Sequence, residues 1–345
     1  GVVGVSILDS TFAGATIQVS ADALGGAGDS DSGVGGDATA GSAAFSTNPS
    51  AIAALGSILV SADATGGGAD VGGNAVSGDV LVDFSGSDVT ITPVGADPAT
   101  LTVRSEALAG RGLTVGDATA GSAMLNLLDT TLIAEEANVS SYANASNPAP
   151  NSVGGTATAG LADVLLDGIS VLDLEVLTIR ADAVTSDQGS SFAGGSSVFV
   201  GGGGTLPGGS SLIVSDLQLS ADATGAIYLD NFAGAFAIEV DFTGLIEADL
   251  VSSTAQGDRL STTFDIASIL LNGGEFLIAG QGDFDAVPDL DIDISDGGQL
   301  GDPNAFLSFV SSGLIDMDGD GLGLGIDGSS VFLGSSDIEI GSGVF

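Results

Sequence analysis

Along this chain short runs of residues alternate apolar and polar with a period of two. In residues 16–23, Ile17, Val19, Ala21 and Ala23 share one side, and Thr16, Gln18, Ser20 and Asp22 share the other. Successive side chains of an extended strand point to opposite faces, so the pattern predicts a strand with an apolar inside and a polar outside. The same parity returns in residues 57–64, 101–107, 177–183 and 217–223, with a weaker copy in residues 132–137. The acids that end these copies are Asp22, Asp63, Glu106, Glu136, Asp182 and Asp222, at spacings of 41, 43, 30, 46 and 40 residues.

A second motif, Gly-Asp-Ala-Thr-Ala-Gly at residues 36–41, lies between these strands and recurs at 73–78, 116–121 and 155–160, with a degenerate form near Gly195. Two interleaved motifs with one period of about forty residues predict a repeat fold in which each repeat holds at least two strand segments. Gly-rich tracts at residues 25–36, 66–73 and 194–209 read as tight corners, because glycine allows close backbone approach. Residues 140–153, with Pro148 and Pro150, read as an inserted surface loop, and only residues 51–55 suggest a helix. After about residue 230 the motif stops while strand-like runs continue, which divides the chain into a repeat region, 1–230, and a C-terminal all-β region, 231–345.

The fold expected is all-β, a parallel β-solenoid (β-helix) with atypical C-terminal β coils or a cap. A propeller also fits a period near forty, but its blades need aromatic packing, and the chain has no Trp. With coils of about twenty residues, two to a repeat, stacking at about 4.8 Å would give a rod on the order of 80 Å long.

Composition narrows the function. Of 345 residues 44% are hydrophobic, enough to build a core, yet the net charge is −41 and the four basic residues are all arginines: Arg104, Arg111, Arg180 and Arg259. A surface so poor in cations excludes nucleic acid and anionic membranes as partners and attracts cations instead. The absence of Cys rules out disulfides and thiolate ligands and suits a large secreted bacterial protein. No run of 18 apolar residues suggests a membrane-spanning segment, and no signal peptide is visible.

The strands ending in Ser-Ala-Asp-Ala, alternating with Gly-Gly-Asp-Ala-Thr-Ala-Gly corners, make about the first 230 residues resemble the repeat regions of filamentous-haemagglutinin-like adhesins and related secreted β-helix surface fibres. The resemblance implies an exported, extended protein of the extracellular cell surface. It leads to the expectation of self-association into a fibre, end to end, or into a lattice, and of a surface or glycan target. An S-layer or matrix component is the alternative reading.

Two acidic stretches carry candidate chemistry. In residues 316–327, Asp316, Asp318 and Asp320 occupy positions 1, 3 and 5 of an EF-hand-type loop, Gly321 supplies the turn, and Asp327 stands at position 12. Carboxylates at this spacing can converge on one calcium ion. In residues 289–294, alternation puts Asp289, Asp291 and Asp293 on one strand face and Leu290, Ile292 and Ile294 on the other. These seven acids are the candidate calcium ligands. Without His, Cys or Lys there is no Ser-His-Asp triad, thiol nucleophile or Schiff base, so the chain is not expected to be an enzyme. Paired carboxylates leave a β-helix polysaccharide-degrading enzyme as the remaining catalytic alternative.

Overall fold

The computed structural model describes the chain except for residues 29–32, 148–151, 187–188, 202–208, 225–230, 234, 242–243, 256–258, 261–266, 273–274, 287–289, 296–298, 302–305, 312–314, 319–329, 332–336 and 341–345. Among the described residues the regular elements are all β-strands. They stack in parallel into a β-solenoid, with Val2 beside Ser42, Ala43 beside Val80, Val80 beside Ala123, Ala123 beside Ala162, Ala162 beside Ser196 and Ser196 beside Phe236. One turn of the solenoid therefore consumes a whole repeat of about forty residues, not half of one. With one coil where two were expected, the rod is about half as long, on the order of 40 Å at the usual strand spacing.

Through the repeat region each coil shows three strand segments and a narrow return strand. The first coil runs Val2–Ser20 through all three segments, bending at Asp9, whose φ is +45°. The next runs Ser42–Thr65 in the same way, which turns the small-residue stretch at 51–55 into strand: Ile52 and Ala54 are buried beneath their neighbours in the adjoining coil. The return strand is the Gly-Asp-Ala-Thr-Ala-Gly motif. Ala38–Thr39, Ala75–Val76, Ala118–Thr119 and Ala157–Thr158 form a second parallel sheet that continues to Ser191–Phe192, Asn231–Ala233 and Arg259–Leu260. Register places the fifth copy at residues 189–194, Gly-Ser-Ser-Phe-Ala-Gly, rather than near Gly195. The strand Glu136–Ala145 likewise occupies the first part of the stretch read as a loop.

The coil encloses two cores. Inward Ile, Leu, Val and Phe, among them Phe45, Ile58, Leu101, Leu125 and Leu177, fill the larger one. The smaller is almost pure alanine, with Ala64, Ala107, Ala143 and Ala183 from the Ser-Ala-Asp-Ala ends facing Ala38, Ala75, Ala118 and Ala157 of the return strands. At the boundary, Ser105 and Ser141 donate to the carbonyls of Gly78 and Gly121 at 3.0 and 2.8 Å. Beyond the alanines the glycine corners close directly on one another: Gly67 N donates to Gly36 O at 2.8 Å, Gly73 N to Gly67 O at 2.9 Å and Gly110 N to Gly73 O at 2.8 Å. A further ladder marks another corner. Ser87, Thr130, Ser170 and Ser210 are buried, and the amides of the first three donate to the hydroxyl of the next at 3.2–3.3 Å.

The coils shorten toward the C-terminus. Ala237 pairs with Ser268, Ala267 with Leu290 and Leu290 with Ile315, so a turn falls to 31, then 23, then 25 residues. The return strand is last described at Arg259–Leu260, yet the main sheet continues without a break, so the region after residue 230 belongs to the same sheet system. Its core gains a cluster of phenylalanines, Phe236, Phe276, Phe284 and Phe309, among the aliphatic side chains. Two buried serines explain how the rings fit: Ser196 stands directly beside Phe236 in register, and Ser253 beside Phe284. Both hydroxyls are buried without a hydrogen-bond partner. Replacing either serine by Ala removes an unsatisfied polar group without adding volume. We expect S196A and S253A each to raise stability by about 1 kcal/mol, read from the urea midpoint; a loss of stability in both would contradict this account.

Candidate functional site

The described part of the acidic C-terminal stretch is a lattice of strand positions. Leu290–Ser295 buries Leu290, Ile292 and Ile294 and turns Asp291 and Asp293 outward, half-buried, as alternation predicts. Ile315–Asp318 pairs with it in parallel, putting Asp316 beside Asp291 and Asp318 beside Asp293. The two stretches that read as separate motifs are thus neighbours on adjacent coils, and Asp316 and Asp318 sit on an extended strand. Asp289, Asp320 and Asp327 lie outside the described residues. Among the described residues no three acids stand close enough together to hold a metal ion. Two unit charges at the strand spacing of about 4.8 Å repel by roughly 0.9 kcal/mol even in water, and more near a protein surface.

The repeated acids form a second column, along the third segment of each coil. Asp63 pairs with Glu106, Glu106 with Tyr142 and Tyr142 with Asp182. Tyr142, not Glu136, is the equivalent residue in that coil, standing 36 residues after Glu106 and 40 before Asp182. The true copy is residues 137–143, Ala-Asn-Val-Ser-Ser-Tyr-Ala, whose apolar parity was the available signal; following the acid alone led to the wrong phase.

This column is largely internally braced. Arg104 makes a two-pronged pair with Asp63 of the preceding coil, at 3.1 and 2.5 Å, and a longer one with Glu106 of its own strand at 3.4 Å. The hydrogen bonds that Arg104 donates to Asp63 raise the Arg104 pKa, while burial pushes the Glu106 carboxyl up against the opposing pull of Arg104. Arg180 pairs with Asp182 and lies 5.4 Å from the centre of the Tyr142 ring. The other oxygen of Asp182 accepts from Ser220 Oγ at 2.9 Å and from the amide of Asp222 at 3.0 Å, and Asp222 in turn accepts from Thr254 Oγ1 at 3.1 Å. Asp63, Asp182 and Asp222 each tie their coil to the next. Neither protein-family models, curated proteins nor solved structures show a match to this chain.

Other grooves follow the same rule of rows. The corner between the second and third segments opens a groove of about 530 Å³ lined by Glu135, Asp173, Glu175, Glu247 and Asp249. On the return side, Asp37 accepts from the amide of Asn74, Asn74 from that of Asp117, and Asp117 from that of Thr156, each at 2.8 Å. Acidic side chains at repeat positions therefore pair with an arginine, cap the next coil's backbone, or stand in rows whose repulsion water and cations screen.

Proposed function

We propose that the chain is a rigid segment of a secreted surface fibre or adhesin, and that calcium braces its acidic C-terminal coils. The observation that carries the reading is the uninterrupted parallel stack from Val2–Ser20 to Asp337–Ile340, a construction whose product is reach and stiffness. Repeats resembling those of filamentous-haemagglutinin-like adhesins support the same reading. The taper from coils of about forty residues to about twenty-five means that one end does not match the other, so the proposal rests on the stack itself and not on end-to-end joining.

Negative-stain images of the native material should show rods or fibres; compact particles would overturn the reading, and a two-dimensional lattice would replace it with an S-layer or matrix role. The calcium clause has its own test. Saturating calcium at about one hundred times Kd adds about 2.7 kcal/mol, so a chelator should lower the melting midpoint by about 5 °C for a chain of this size. An unchanged midpoint together with no calcium retained on dialysis would remove it.

A further inference from the structure

The groove at the corner between the second and third segments has an apolar floor between two acidic sides. Register runs Asp173, Ile213, Glu247 and Leu277 along one side. On the other side Glu175, Ser215 and Asp249 stand where the ladder is interrupted, just before Val176, Asp216 and Leu250 resume it. Between the sides lie Leu174, Val214 and Ala248, each only 4% exposed. The acids therefore come as two pairs, Asp173 with Glu175 and Glu247 with Asp249, and the coil between them offers Ile213, which is 39% exposed.

These acids are left over from the bracing that ties up the Arg104 and Arg180 column. Among the described residues the carboxylates of Asp173, Glu175, Glu247 and Asp249 take part in no ion pair or hydrogen bond. All four are exposed, and no arginine lines the groove.

We infer that this groove receives a basic segment of a partner protein, an extended chain with arginine or lysine at every third position. Charge complementarity sets the sign of the occupant, and the floor sets its form. Arginine and lysine lay apolar stems along apolar surface while their charged heads stay in water, which suits buried Leu174 and Val214 beneath exposed carboxylates. Among the described residues no three acids stand close enough together to hold one metal ion, so a single divalent cation does not serve both pairs. The ligand must bring separate cations. The two acid pairs are two strand spacings apart, about 9.6 Å. Three residues of a polyproline II chain rise about 9.3 Å and return to the same side, so residues i and i+3 reach successive pairs while their stems cover Ile213. The inference concerns a single rod and does not rest on the fibre reading.

Titration calorimetry of the 345-residue chain, with chelator present and at constant low ionic strength, tests it. The probe is a peptide of four Arg-Pro-Leu repeats. D173N/E175Q/E247Q/D249N should weaken its binding at least about tenfold, the sum of four exposed charge contacts. D9N/D22N/D70N/D88N, which removes equal charge from the first three coils, should weaken it less than about threefold. I213N, which leaves the charge unchanged, should cost about fivefold through lost apolar cover. A peptide of the same composition with its arginines contiguous should bind at least about threefold more weakly, because its cations cannot span both pairs. Circular dichroism checks that each variant is folded. Equal losses in the two fourfold variants would mean attraction by net charge alone and overturn the inference. So would no binding of the probe, an I213N variant or a contiguous peptide that binds as the parents do, or spermidine binding as tightly as the peptide, which would make the groove a polyamine site.

Discussion

Replacing Gly110 with Ala is expected to destabilise the solenoid by about 3 kcal/mol or more, the upper end of overpacking costs, while the same change at Gly26 costs less than about 0.5 kcal/mol, as at an open surface site. A Cβ at Gly110 would lie 2.1 Å from the carbonyl oxygen of Gly67 and 2.5 Å from the amide of Gly73. Both obstacles are backbone, fixed by the ladder in which Gly110 N donates to Gly73 O, so neither can swing aside as a side chain could. A Cβ at Gly26 meets nothing within 4 Å. Gly155, where the new carbon would stand 2.0 Å from Gly116 O, should behave like Gly110. Urea midpoints of the three variants check this. Equal stability of G110A and G26A would mean that the corners are looser than the stacked glycines require.

The second large effect is expected at Phe284. Its ring stacks on Phe309 at 5.3 Å between centroids, and lies 6.4 Å from Phe276 and 6.5 Å from Phe236. In the shortened C-terminal coils this cluster packs among aliphatic side chains such as Ile278 and Ile292, and Ser253 is small where the Phe284 ring needs room. Phe284→Ala removes the central ring and leaves a cavity among three others, a change that typically costs 3–5 kcal/mol, with lost ring pairs worth about 0.5–1.5 kcal/mol beyond burial. Stability in a stacked array is a sum of coil and interface contributions, so the loss should be local. Hydrogen exchange should quicken from Ala267–Asn272 onward while the strands around Leu101 and Leu177 stay protected. Uniform loss of protection would show that the stack unfolds as one unit.

Much of this was legible in the residues. The two-residue alternation in 16–23 and its copies identified which side chains face inward, and every inward residue of those clear copies from Ile58 to Leu219 is buried. The shared period of the two motifs implied at least two strand-bearing segments per repeat, and the repeat-region coils have three and a return strand. The alternation of Asp291 and Asp293 against Leu290, Ile292 and Ile294 was equally plain. What failed was phase wherever chemistry was followed instead of parity. Glu136 was favoured over Tyr142 because it is an acid, and 189–194 was passed over because Ser and Phe stand where Ala and Thr usually do. Residues 51–55 looked helical because alanine is a good helix former, yet neighbouring coils offer ladder partners on both sides and so hold the segment extended.

By itself, then, the sequence determined the inside and outside of each strand, the glycine corners and the parallel, repeating character of the fold. These are properties of one residue and its near neighbours, since side-chain alternation and backbone freedom act within a few positions. The tertiary structure alone decided how many residues close a coil, because closure depends on how the alanine lobe packs against return strands on both sides of it in the chain, Ala64 against Ala38 and Ala75 and Ala107 against Ala75 and Ala118. It also decided which acids meet. Asp291 and Asp316 are 25 residues apart in the chain but side by side in register, and Arg104 reaches back to Asp63 in the coil before. Register between coils is a long-range property, and local alternation carries no record of it.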